Sequence, residues 1–241
     1  MPTSSSRNAF AEDPGAHLPQ AAGTRIVDDR RFHLSIDSDE TRATVCRIRL
    51  GDDAVDEVFA EVAGHAPGAR VEWVIGPSAT PEDLVSQLRA LGCRDQDPPL
   101  SSTVTALATD TAPPPVPGVA VHRIETYDGF LAGLELSIAG WQLDAVRAEA
   151  YRNASVATWE RRRSRPGGEW LAVIDGEPVA YGGAIAGPHG SLLTGGVTLP
   201  DAVGRGAAAL VVHAEEPSRR VLEGLGFETV CPIVELVSGP A

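Results

Sequence analysis

The chain has 241 residues, 43% of them hydrophobic, which is enough for packed cores in two domains of ordinary size and excludes global disorder. Acidic residues outnumber basic ones 33 to 20, and every basic residue is Arg. The resulting net charge of −13 repels phosphate backbones and anionic lipid, so nucleic-acid and membrane-surface binding are disfavoured.

Residues 1–24 are rich in Ser, Ala, Pro and Gly with no apolar period, and read as a flexible tail. They lack a basic region followed by an apolar run, so a signal peptide is not expected. No apolar stretch approaches the roughly 20 residues of a membrane span. Residues 41–50 are predicted as a strand, 53–64 as a helix, 71–75 (VEWVI) as a strand and 81–91 as a helix ending in Leu91-Gly92-Cys93. Residues 101–108 alternate like a closing strand. The proline-rich stretch 109–118 (TDTAPPPVPG) cannot continue a helix or a central strand, so it reads as a linker between a domain at 25–108 and one at 119–241.

The second half opens with a strand at 119–124 and helices at 126–139 and 142–159. A strand at 170–174 turns at Asp175-Gly176, a dipeptide that suits the positive φ of a tight hairpin, into a strand at 178–186. A third antiparallel strand is predicted at 191–198, then a Gly-rich loop, a buried strand at 209–214, a helix at 218–225 and a last strand at 228–237. Strand, helix, Leu-Gly and strand thus recur once in each half, the pattern of an internal duplication. The three cysteines, Cys46, Cys93 and Cys231, are far apart with no C-x-x-C pair. That argues against a disulfide framework or zinc site; no metal is expected, and a reducing cytoplasm is the expected compartment.

Three pieces in order carry a family likeness. EWLAVIDGEPVAYGGAI resembles the central hairpin of the GNAT acetyltransferases, LLTGGVTLPDAVGRG their fourth strand and pyrophosphate loop, and SRRVLEGLGFETV their last helix. The resemblance implies an α/β (α+β) fold of two GNAT-like domains, each a mixed, mostly antiparallel sheet flanked by helices, the first one degenerate. It implies acetyl-CoA or another acyl-CoA as cofactor, and acyl transfer to an amine of a small molecule or peptide. Val197, Leu199, Val203, Gly204, Arg205, Gly206 and Ala207 are the implied cofactor-binding residues. Loop amides at a helix N-terminus favour the diphosphate charge.

The chain departs from the family in three places. Only Ala207 and Ala208 separate the loop from the next apolar run, where the family has a helix of several turns, and the family's leading basic or amide residue is Asp201 in one register and Val203 in the other. The family's Tyr before E-x-L-G-F is Leu222. His213 and Glu215 are the available candidates for proton transfer, an imidazole being the side-chain type most often used as a base near neutrality. Trp141, Trp159 and Tyr181 are candidates for an acceptor wall, with core packing as the competing reading. Arg161-Arg162-Arg163 with Arg165 could attract an anion or, as a helix C-terminus, complement the dipole. The face left by the missing helix suggests a homodimer. The lost elements also support a second reading, a GNAT-like protein that no longer binds CoA. It would act as a ligand-binding or interaction module, or run other chemistry in the same cleft.

Overall fold

A computed structural model of the chain describes residues 4–97, 101–111, 117–195 and 210–240. The first half builds β1 (Arg25–Asp28), β2 (His33–Ile36), β3 (Arg42–Cys46), α2 (Val55–His65), β4 (Arg70–Ile75), α3 (Leu84–Ala90), β5 (Arg94–Asp95) and β6 (Thr103–Thr109). A helix α1 (Ser4–Glu12) precedes them. The second half builds β7 (Ala120–Arg123), α4 (Tyr127–Gly140), α5 (Ala145–Asn153), α6 (Ser155–Arg163), β8 (Gly167–Ile174), β9 (Glu177–Gly187), β10 (Gly190–Gly195), β11 (Leu210–Ala214), α7 (Glu216–Gly224) and β12 (Glu228–Ser238).

Among the described residues, twelve strands join one mixed, mostly antiparallel sheet, in the order β1-β2-β3-β4-β12-β6-β11-β10-β9-β8-β7, with β5 paired to β12. The two halves exchange strands at its centre. β6, from the first half, lies between β11 and β12 of the second. β12 returns the exchange: its first part pairs with β6, and its last part, Val234–Ser238, pairs with β4. Each half holds one parallel pair, β3 with β4 and β10 with β11, at corresponding places.

The helix ends also correspond. Cys93 N–H donates to Leu88 C=O at 3.0 Å, and Phe227 N–H donates to Leu222 C=O at 3.1 Å. Gly92 and Gly226 between them have φ +97° and +90°. Both are the six-to-one closure that a left-handed residue makes at a helix C-terminus, and both deliver a buried side chain to the next strand.

Two expectations need correction. Residues 4–22 are not a flexible tail: Phe10 and Ala11 are fully buried against Ala106, Ala108, Val211 and Ile233 on one face of β6, β11 and β12. The apolar content of α1 is low, but two side chains at its C-terminal end are enough to anchor it. The helix foreseen at 142–159 is two helices that meet at Ala154. There the Ser155 hydroxyl donates to the Arg152 carbonyl at 2.5 Å, a local side-chain bond that competes with the helical ladder. Strands β1 and β2 lay outside the sequence reading. Residues 112–116, the proline-rich part of the anticipated linker, lie outside the described residues.

All three cysteines are free and buried. Burial pushes the Cys46 thiol up to about 12 and those of Cys93 and Cys231 up to about 11.

A Cβ on Gly226 or Gly92 would meet nothing within 4 Å, so only the backbone conformation opposes a side chain at either position. Gly92→Ala and Gly226→Ala are each expected to cost ~1–2 kcal/mol in urea unfolding, equally in the two halves. Phe10→Ala should cost about 3–5 kcal/mol by the same measurement. A change near zero would show that α1 does not hold its place on the sheet.

Candidate functional site

The parallel pair of the second half opens along its length. Pairing of β10 with β11 is confined to Ser191 with Leu210 and Leu192 with Val211. Both strands run on, β10 to Gly195 and β11 to Ala214. The facing edges of 193–195 and 212–214 therefore have no strand partner among the described residues. The corresponding pair in the first half stays joined over four residues, Arg42 with Arg70 through Val45 with Trp73. Its crossover helix α2 carries Asp56 and Glu57 in the first turn, charges that oppose an anion at that terminus. The open gap thus belongs to the second half, the one whose sequence carries the family likeness.

Beside the gap, cross-strand register sets a row of residues on one face of the sheet. Glu169 on β8 faces Gly183 on β9, which faces Thr194 on β10. Directly opposed residues share a face, so the Glu169 and Thr194 side chains flank a position with no side chain. A Cβ on Gly183 would lie 2.7 Å from Thr194 Oγ1 and 3.6 Å from Glu169 Cγ.

Two further groups converge on Glu169. The Tyr181 hydroxyl donates to Glu169 Oε1, and the Arg162 guanidinium on α6 donates to both that oxygen and the Tyr181 oxygen. The Glu169 side chain is 9% exposed, and its Oε2 has no partner among the described residues. Burial pushes the Tyr181 hydroxyl well above the ordinary tyrosine range, and the neighbouring Glu169 charge adds to the rise while Arg162 opposes it. Burial also pulls the Arg162 guanidinium down, but Tyr181 and Glu169 outweigh that and hold it above its usual value.

Helices α4 and α6 position these groups. Thr126 caps α4, its Oγ1 accepting from Gly129 N–H at 3.2 Å. Further along, a Cβ on Gly133 would lie 2.3 Å from Tyr181 Cδ2, so the ring rests on bare helix backbone. Tyr127 shares a 2.7 Å hydrogen bond with Ser155 at the start of α6. Phe130 packs between Trp159 at 5.5 Å and the Arg162 guanidinium at 5.8 Å.

The residues singled out from sequence divide into three groups. Val197, Leu199, Val203, Gly204, Arg205, Gly206 and Ala207 lie outside the described residues. His213 and Glu215 hold structure together. His213 Nε2 lies 2.8 Å from the Ala11 carbonyl, which makes it the donor there, and Nδ1 lies 3.8 Å from Glu235 Oε1. Glu215 Oε1 accepts from Ser101 N–H at 2.9 Å.

Of the aromatic residues, Tyr181 belongs to the polar cluster and Trp159 to its aromatic roof. Trp141 stands apart, 44% exposed and edge-on to Tyr151. The Arg run disperses into ion pairs: Arg161 with Asp37 at 2.8 Å, Arg162 with Glu169, and Arg163 with Glu160 at 3.6 Å. Glu169 escaped the sequence reading. Its signal was a carboxylate inside the otherwise uncharged strand GGEWLAVI.

No protein-family model matches the sequence. No curated protein matches it either. Solved structures do. A GCN5-related N-acetyltransferase from Kribbella flavida is 17% identical, with 98% of this chain and 96% of that one covered and a TM-score of 0.65. A functionally unknown conserved protein from Staphylococcus epidermidis is 10% identical over 92% and 96%, again with a TM-score of 0.65. A tandem GNAT protein from the clavulanic acid biosynthesis pathway is 17% identical over 98% and 95%, with a TM-score of 0.51. The chain therefore has a GNAT-like fold, an α/β architecture of one large, mostly antiparallel sheet flanked by helices. Among the described residues no helix is long and apolar enough to cross a membrane.

The raised folded-state Tyr181 value gives a signed prediction. A hydroxyl that keeps its proton longer when folded stabilises the protein below the unfolded value of about 10, and that contribution is lost as pH rises through the folded value. Wild-type stability should fall above pH ~10, and Tyr181→Phe should remove part of that fall while costing about 1–3 kcal/mol near neutrality. Thermal unfolding across pH checks both; identical profiles for the two proteins would refute the assignment.

Proposed function

We propose that the chain is an acyl-CoA-dependent N-acyltransferase that modifies an amine of a small molecule or peptide. The observation that carries this reading is the open end of the β10–β11 pair within a GNAT-like fold. Such a gap suits an extended amide-bearing arm, because two unpaired strand edges can hydrogen-bond it as they would another strand. The unpartnered edges of 193–195 and 212–214 fit the pantetheine arm, and the family likeness assigns the diphosphate to Val203–Ala207.

Acyl-CoA supplies a thioester-activated acyl group; an ammonium acceptor first gives one proton to solvent, and transfer to the neutral amine then forms a C–N bond, breaks the C–S bond and moves one proton from nitrogen to sulfur. The chain's own residues have the other tasks. An N–H on the β10 edge polarises an oxygen placed in the gap. Glu169 and Thr194, on the adjoining row, orient a polar group entering from the helix side. Arg162 and Tyr181 fix the Glu169 carboxylate so that orientation costs little on binding. The exchanged strands and matching helix ends support a tandem GNAT arrangement whose first unit has lost its gap.

The structural engagement of His213 and Glu215 favours the second reading, a GNAT-like module without CoA chemistry. Calorimetric titration with acetyl-CoA separates the two. The acyltransferase reading expects a dissociation constant on the order of 10–100 µM or tighter, about −5.5 to −7 kcal/mol. No heat at ligand concentrations on the order of 1 mM, where about −4 kcal/mol would register, would refute it.

A further inference from the structure

Glu169 has one oxygen satisfied twice and one not at all. Oε1 accepts from Arg162 and Tyr181, while Oε2 is buried with no partner among the described residues. A buried carboxylate oxygen without a hydrogen bond is costly, and native proteins supply such atoms with a donor. Nothing in the fold forces the vacancy. β8 could carry an apolar residue at this point, as it does at Trp170, Leu171 and Ala172.

The surroundings specify the donor's size and place. Glu169 and Thr194 stand two strands apart, a backbone separation of roughly 10 Å. Between them Gly183 contributes no side chain, and the Thr194 hydroxyl occupies the space that a Cβ there would need. The far end of this row is β10 in its unpaired stretch, at the gap. At the near end Phe130, itself buried, contacts the Arg162 guanidinium that holds Glu169, and the half-buried Trp159 packs against Phe130.

We propose that Glu169 Oε2 receives the nitrogen of the acceptor substrate, in a slot floored by Gly183 and bounded by Thr194, and that the acceptor is a primary amine carrying an aromatic or apolar body. The acyltransferase reading supplies only the word acceptor; the amine site stands on the orphaned oxygen and the missing side chain. An ammonium suits it because the carboxylate offers a full charge and a free lone pair at Oε2. The apolar body packs against Trp159, the half-buried neighbour of Phe130. Arg162 and Tyr181 are positioning residues here, since they act through Glu169.

Phenethylamine and its neutral isostere 2-phenylethanol test the site directly, by ligand-observed saturation-transfer NMR without CoA. Wild-type protein should bind phenethylamine about tenfold or more tightly than 2-phenylethanol. Glu169→Gln should erase that preference, weakening phenethylamine by about tenfold or more and leaving 2-phenylethanol unchanged.

Gly183→Ala serves as a second variant. It places a methyl group 2.7 Å from Thr194 Oγ1 while keeping Arg162, Glu169 and Tyr181, and should bring the same loss. Circular dichroism establishes that each variant is folded. Phenethylamine binding indifferent to Glu169→Gln, or no binding by wild type, overturns the proposal. Binding that depends on Glu169 in a protein silent toward acetyl-CoA upholds the amine site and refutes the acyltransferase reading. Acetyl-CoA binding with no Glu169-dependent amine binding does the reverse.

Discussion

A strand in the middle of a sheet must find hydrogen-bond partners on both edges, and for β6 both partners belong to the other half of the chain. That requirement organises the molecule. It places β12 where its last residues can pair with β4, so the first half is completed by the C-terminal strand. It also carries α1 onto the face of β6, β11 and β12, where Phe10 closes the core. Neither half has all of its own strands. Most of the pairings at the centre join residues more than a hundred positions apart, so long-range closure must occur before the core is complete.

The same exchange frees the gap. β11 is held on one side by β6 over its whole length, from Leu210 with Thr109 to Ala214 with Thr105. Fixed there, it can part from β10 after two residues without unravelling. Local chemistry then shapes what lies beside the opening. Gly183 and Gly133 are small for different reasons: one makes way for the Thr194 hydroxyl, the other lets the Tyr181 ring lie on the backbone of α4. Both shape the surroundings of Glu169, one by admitting the threonine on its row and one by seating the tyrosine that binds it.

Much of this fold is legible in the sequence. The VEWVI strand, the Asp175-Gly176 turn and the two Leu-Gly helix ends announce themselves through alternation and turn chemistry, which are local properties. β1 and β2 did not announce themselves, because four-residue strands interrupted by Asp, Arg and Ser carry too little period to register. The packing of α1 was hidden for a related reason: its weight rests on Phe10 and Ala11 rather than on a stripe. Strand exchange leaves no trace in local pattern at all, since β6 alternates the same way whichever half it joins. The Glu169 cluster was not legible either. A lone carboxylate in a strand looks like a surface residue until register shows it facing a glycine, a tyrosine and an arginine.

β12 gives the chain an order of assembly. β4 leaves the ribosome early, yet the strand that covers its edge is translated roughly 160 residues later, a wait of about 8–30 s at ordinary elongation rates. Throughout that interval β4 offers an open row of amides and carbonyls, the kind of edge that recruits foreign strands. The newborn polypeptide is therefore exposed at β4 while it is still being made, and its safety depends on a strand added long after β4 itself.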